Sequence, residues 1–292
     1  MEIIKCFLKV VSRVLPDTLY LKLYYRFKFH KKLNLKNPQT FNEKLQWLKL
    51  HNRKAIYSIM VDKLAAKQYV AQTIGEEHII PTLGVWDRFD DIDFDSLPNQ
   101  FVLKCTHDSG GLVICKDKSS FDKKAANKII DKCLKRNYYW SGREWPYKNV
   151  TPRILAEKYM EDIETKELRD YKFFCFNGKV KCFKIDFNRF VDHRANYYSP
   201  DGELLRFGEE VCPPDFEAHI ELPRRLQEMK KKAEILSLGI PFVRIDFYEV
   251  DDRVYFGEMT FFPASGFGAF VPVEWDFKFG EWLTFPTGTG QE

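Results

Sequence analysis

Two neighbouring runs, FVRIDFYEV (242–250) and RVYFGEMTF (253–261), constrain the fold more than any other part of the chain. Val243, Ile245 and Phe247 alternate along the first run, and Gly257, Met259 and Phe261 along the second. A period of two marks strands with one buried face, and two such runs this close together form an antiparallel hairpin. The other face carries Arg244, Asp246 and Tyr248 beside Phe256, Glu258 and Thr260. A three-residue loop at 251–253 sets Asp246 opposite Glu258 and Arg244 opposite Thr260. A two-residue turn sends the two acids to opposite faces, because a one-residue slip flips a strand. Like charges directly opposite repel. Either a divalent cation offsets that repulsion, or Arg244 neutralises both acids on a solvated face.

Further hairpins follow the same logic. Asn177–Gly178 turns LRDYKFFCFNGKVKCFKIDF, and Asp201–Gly202 turns ANYYSPDGELL. Strands are predicted in HIIPTLGVW and RILAEKYM (153–160). Helices are predicted between them. PQTFNEKLQWLKLHNR opens on Thr40 with Glu43 three residues on, a capping box. DKLAAKQYVAQTIG stops at Gly75, and KKAANKIIDKCLKRN and residues 223–237 are also helical. The fold class is therefore α+β. No early βαβ unit and no G-x-G-x-x-G argues for a Rossmann domain. The expected division is a helical region at 1–60, lobes at 61–160 and 161–283, and a disordered tail at 284–292.

The N-terminal MEIIKCFLKVVSRVL sets Ile4, Phe7, Leu8 and Val11 on one helical face and Lys5, Lys9 and Arg13 on another. Such a helix either lies on an anionic membrane surface or packs on its own domain. The net charge of +4 is too small to argue for nucleic acid, but suits anionic small molecules or a membrane surface. Seven cysteines, with no C-x-x-C, read as reduced thiols. No apolar run reaches the roughly 20 residues that span a bilayer, and no secretory cleavage site is evident. A cytoplasmic location is expected.

FVLKCTHDSGG (101–111) ends a core strand on Lys104 and enters a loop at Ser109, Gly110 and Gly111, and LVIC follows at once. A glycine-rich loop between two strands lets backbone N–H groups approach an anion, and a lysine at the strand end reaches the same anion. A surface lysine before a hairpin loop has the same pattern. RILAEKYM breaks strict alternation, so its backbone could meet a purine edge, with Glu164 seven residues beyond Glu157 reaching a ribose. An ordinary buried strand ending in a charged loop reads the same way.

Taken in order, these phrases resemble the ATP-grasp superfamily, and more closely its TupA-like branch, named for teichuronopeptide biosynthesis. NPQTFNEKLQWLKL, DKLAAKQYV, LPNQFVLKCTHDSGG, RILAEKYM, DYKFFCFNGKVK and GEMTFFPASGFG carry the resemblance, across roughly residues 33–283. It implies an ATP-grasp fold, two α+β lobes clamping ATP, with an N-terminal helical extension in place of the usual Rossmann-like domain. It further implies ATP and Mg²⁺ as cofactors. Lys104 and Lys172 would hold phosphates under the loop at Ser109, Gly110 and Gly111. Glu157, Lys158 and Met160 would meet adenine, and Glu164 the ribose. Arg244 would stabilise the transferring phosphate, and Asp246 and Glu258 would bind Mg²⁺, with Thr260 where the superfamily often has Asn. His107, His193, Arg194, Ser265, Gly266 and the triplet Asn42, Glu43, Lys44 are candidates for the acceptor.

The activity this implies is ATP-dependent ligation of a carboxylate to an amine through an acyl phosphate. The expected partners are a carboxylate-bearing glycan or sugar precursor and an amino-acid amine, at the inner membrane face. Three alternatives compete: a glycosyltransferase using Asp91-x-Asp93 or Asp93-x-Asp95, a kinase acting on a hydroxyl, and a nucleotide-binding protein without catalysis. Arg244, placed on a polar face, is expected to be replaceable without loss of folding.

Overall fold

The computed structural model describes residues 13–162, 168–188 and 192–286. The basic N-terminal helix expected at 1–15 falls almost wholly outside them, as do Glu164 and most of the expected tail.

Four helices come first: α1 (Asp17–Phe29), α2 (Phe41–His51), α3 (Ile56–Val61) and α4 (Ala65–Ile74). The capping box forms at α2. The Glu43 amide donates to Thr40 Oγ1 at 3.3 Å, and the Thr40 amide donates back to Glu43 Oε2. α4 stops at Gly75, whose φ of 115° suits a residue without a Cβ.

A four-stranded antiparallel sheet follows, ordered β1-β4-β2-β3. Its strands are β1 (Thr82–Trp86), β2 (Phe101–Cys105), β3 (Leu112–Cys115) and β4 (Ile154–Lys158). Alternation along β2 buries Phe101, Leu103 and Cys105 against Ala126 and Ile130 of α5 (Lys123–Leu134). The opposite face is left for Lys104, Leu112 and Glu157, which line the cleft. A short α6 (Tyr139–Gly142) lies in the aromatic loop before β4.

The larger sheet has six strands, ordered β11-β10-β5-β6-β7-β8. They are β5 (Asp170–Phe176), β6 (Lys179–Phe187), β7 (Arg194–Tyr198), β8 (Leu204–Leu205), β10 (Phe242–Val250) and β11 (Arg253–Thr260). β9 (Gly208–Glu209) and β12 (Phe270–Val271) pair separately, and α7 (Leu226–Leu236) and α8 (Glu274–Trp282) complete the chain. Asn177 and Gly178 both have positive φ, as a tight hairpin turn requires. One face of β5 divides along its length. Phe174 and Phe176 pack on Phe279 of α8, whereas Asp170 and Lys172 line the cleft. α2, α3 and α4 also bury Leu45, Met60 and Val70 in this larger core.

The last hairpin departs from its expected loop. Val250 pairs with Arg253, so the turn is the two residues Asp251 and Asp252, with φ of 50° and 58°. That turn alone would separate the acids. A β-bulge between Asp246 and Phe247 skips Gly257 on the partner strand, and Asp246 pairs with Glu258 and Arg244 with Thr260. The expected register therefore forms through a different loop.

Candidate active site

A cleft of about 480 Å³ opens between the two sheets, within the roughly 300–1,000 Å³ range of small-molecule sites. One wall is Lys104, Glu157 and the loop Ser109–Gly111; the other includes Lys172, Asp246 and Glu258.

On the smaller sheet, buried Glu157 lies between Lys67 and Lys104, with Lys104 Nζ 2.6 Å from Oε2. Burial pushes the Glu157 carboxyl up, but Lys104 and Lys67 outweigh it and hold the group below its usual range. Lys67 is pushed down by burial despite Glu157. The glycine-rich loop is anchored by Asp108, which accepts from the Ser109 amide at 2.6 Å, and whose carbonyl accepts from Lys63 Nζ at 2.6 Å. Asp108 also pairs with Arg136. Gly111 is required by packing, since a Cβ there would lie 2.5 Å from Cys133 Sγ and 2.6 Å from Cys105 Sγ.

On the larger sheet, Arg244 donates to both oxygens of Asp246 at 2.6 and 2.7 Å, and to Glu258 Oε1 at 2.8 Å. Thr260 Oγ1 donates to Glu258 Oε1 at 3.0 Å. Lys172 Nζ lies 3.2 Å from Asp246 and 2.9 Å from Asp170. Burial raises the Asp246 carboxyl against the pull of Arg244 and Lys172. Burial also raises Glu258, but Arg244, Lys63 and Lys172 prevail and bring it to about 2. Lys172 and Arg244 are each held above their ordinary values by neighbouring carboxylates, in spite of burial. Arg244 is thus largely but not wholly buried, with 12% of its side chain exposed, and it pairs with both acids at once. The donor set offered to a metal is two cross-strand carboxylates and a hydroxyl, all hard oxygen ligands, with both carboxylates on the cleft wall. It fits Mg²⁺.

The remaining candidates divide. Met160 packs with Ile80 and Val250, and Ile80 reaches the cleft wall. The Lys158 side chain is exposed, and its amide donates to the Pro81 carbonyl. His107 is not on the cleft wall: it is buried, with Nε2 against the carbonyls of Cys133 and Arg136. His193 and Arg194 lie at the start of β7, and Arg194 pairs with Asp192. Ser265 donates to Glu144 Oε1 at 2.5 Å, and its carbonyl accepts from buried Lys49 at 2.7 Å. The Gly266 carbonyl accepts from Gln46 Nε2 at 2.6 Å. Burial drives Lys49 down to about 7 and Glu144 up to about 7. The triplet is structural: Asn42 donates to the Gly268 carbonyl, Glu43 completes the cap, and Lys44 donates to the carbonyls of Gly280 and Leu283. Asp93 caps its own loop, accepting from the amides of Asp95 and Ser96.

Lys63 and Lys67 were not among the sequence candidates, yet both line the cleft. Their signal was the four-residue spacing in DKLAAK, which sets both ammoniums on one side of a helix start.

Solved structures of several ligases align with this chain. The D-alanine–D-alanine ligase from Bacillus anthracis complexed with ATP aligns at TM-score 0.43 and 16% identity, over 78% of this chain and 65% of that one. The ATP-grasp ligase PsnB, complexed with a variant precursor, Mg and ADP, aligns at 0.43 and 9%, over 75% and 57%. An L-amino acid ligase from Bacillus licheniformis aligns at 0.42 and 13%, over 77% and 49%. The chain thus spans about half to two thirds of the length of these proteins. No curated protein matches it. The TupA-like ATPgrasp family model matches residues 43–284, and the chain belongs to that family of ATP-grasp proteins.

Proposed function

We propose that the protein is an ATP-dependent carboxylate–amine ligase acting through an acyl phosphate. The observation that carries this reading is the facing of two unlike walls across one cleft. A lysine-rich wall with a glycine loop suits a polyphosphate, and opposite it lie paired carboxylates with a largely buried arginine. Lys104, Lys63 and Lys67 hold phosphate oxygens, and Ser109, Gly110 and Gly111 cover them. Glu157, Lys158 and Met160 lie along the adenine side, with Glu164 at the ribose. Asp246 and Glu258, with Thr260, hold Mg²⁺, which when bound neutralises phosphate charge. Arg244 and Lys172 stabilise charge on the γ-phosphoryl group as it moves.

An oxygen of the acceptor carboxylate attacks the γ-phosphorus, and ADP leaves. The amine nitrogen then attacks the carbonyl carbon, the C–O bond to phosphate breaks, and the amine proton passes to solvent. We assign the acid to a sugar acid or peptide-bearing precursor of surface polysaccharide, and the amine to an amino acid, in the cytoplasm at the inner membrane face. Among the described residues no helix is long and apolar enough to cross a membrane.

Calorimetry with Mg-ATP tests the first half of this reading. Wild type should bind, and Lys104→Ala and Asp246→Ala should each lose much of the affinity. Release of ADP and free phosphate that requires both acid and amine supports ligation. Phosphate retained on the acceptor would convert the assignment to a kinase, and binding of a sugar nucleotide in place of ATP would convert it to a transferase.

A further inference from the structure

The larger sheet carries a second constellation of metal-ligating side chains beyond Asp246 and Glu258. Asp186 stands near the end of β6, His193 just before β7, and Cys212 in the turn after β9. These positions are far apart in sequence, and the fold brings one oxygen, one nitrogen and one sulfur donor together. All three ligand atoms lie within 4.8 Å of one another. His193 Nε2 is 3.6 Å from Asp186 Oδ2, and Cys212 Sγ lies 3.6 Å from the His193 carbonyl. An isolated bridge between Glu209 and Cys212 fixes the turn that presents the sulfur.

We propose that Asp186, His193 and Cys212 form a site for a zinc-type divalent transition metal, separate from the nucleotide cleft. Imidazole and thiolate are ligands that zinc accepts readily and magnesium does not. Zinc bonds of about 2.0–2.3 Å put donor atoms about 3.3–3.8 Å apart in a tetrahedron, so three side chains whose donors lie within 4.8 Å of one another need a closure of about 1 Å or less. His193 can supply it, because its side chain is 43% exposed while Asp186 and Cys212 are buried. The same asymmetry leaves the fourth coordination position toward solvent, where a water completes the shell. As the metal–sulfur bond forms, the Cys212 thiol releases its proton to solvent.

Asp186 is also approached by Lys172 at 3.5 Å and Lys184 at 3.6 Å. Lys184 approaches Oδ1, whereas Lys172 approaches Oδ2, the oxygen that faces His193. A dication bound here would therefore compete with Lys172 for Oδ2.

Cobalt(II) is the probe. The full chain is stripped with a chelator and titrated with Co²⁺. The expected result is one equivalent bound, with a thiolate-to-cobalt charge-transfer band and the intense visible absorption of a four-coordinate ion. Cys212→Ser should abolish the charge-transfer band. His193→Ala, at a half-exposed position where folding is least at risk, should weaken Co²⁺ binding by about 10-fold or more. Absence of a charge-transfer band in the wild type would overturn the site. So would a band that persists unchanged in Cys212→Ser, since another cysteine would then be the ligand. None of these readouts depends on ATP or on ligase activity.

Discussion

Glu157 stands between two lysines, whereas Asp246 and Glu258 share one arginine and one lysine. The two clusters occupy opposite walls of the same cleft, and each sets carboxylates beside cations, with Glu157 and Asp246 buried and Glu258 partly exposed. Their balance differs. On the smaller sheet the cations outnumber the acid, so a positive surplus faces the cleft. On the larger sheet Asp246, Glu258 and Asp170 meet Arg244 and Lys172, so the cations there hold no surplus. In the proposed function, the first wall would attract an anion by itself, and the second would do so only with a metal held at its acids.

The largest expected effect that would break this contrast is Arg244→Ala. Removing a largely buried partner leaves Asp246 and Glu258 facing each other, at a cost of about 3–5 kcal/mol in stability. Thermal melts should show the loss directly. Where folded protein remains, turnover should fall by roughly 10²–10³-fold, as for an oxyanion-type donor. A variant that keeps both its melting temperature and its turnover would show that the arginine neither balances the acids nor serves the reaction.

Lys104→Ala tests the other wall. It should weaken Mg-ATP binding by about 10–100-fold, the worth of a charged hydrogen bond. The melting temperature should fall less than in Arg244→Ala, because Lys67 still pairs with Glu157. Equal loss of stability in the two variants would erase the distinction between a cluster with surplus cations and one without.

Acid sharpens the comparison from the side of Glu258. Its folded pKa of about 2 lies below the ordinary 4.5. A carboxyl depressed in this way contributes stability that is present above about pH 4.5 and lost as pH falls toward 2. Melts of wild type and Glu258→Gln should therefore differ near pH 6 and converge in acid. A gap that widens below pH 4 would reverse the sign. The smallest effect is expected from Lys158→Ala. Its exposed side chain should change stability by no more than about 0.5 kcal/mol and leave Mg-ATP affinity within about twofold.

Much of this was legible in the chain. The alternation of β10 and β11, the Asn177–Gly178 turn and the Thr40–Glu43 cap are local patterns, and local physics is enough to read them. Lys63 and Lys67 were not found, because only the packing of α4 near the smaller sheet brings their ammoniums to Glu157 and Asp108. The low exposure of Arg244 was likewise hidden, since an alternating polar face reads the same whether its side chains meet water or one another. His107 and Lys44 show the converse. Each is the residue type expected of a binding site, and each is occupied with main-chain carbonyls.

The bulge at Gly257 has a consequence for how this hairpin can vary. Strand pairing obeys parity: an odd change in loop length swaps inside for outside. The two-residue turn and the single skipped residue together restore the parity that a three-residue loop would have supplied. Deletion of Gly257 alone should straighten the strand and still leave Asp246 facing Glu258 across the two-residue turn, because the skipped residue is the one removed. The bulge is thus the one place in this hairpin where a residue can be lost without turning the acids away from each other.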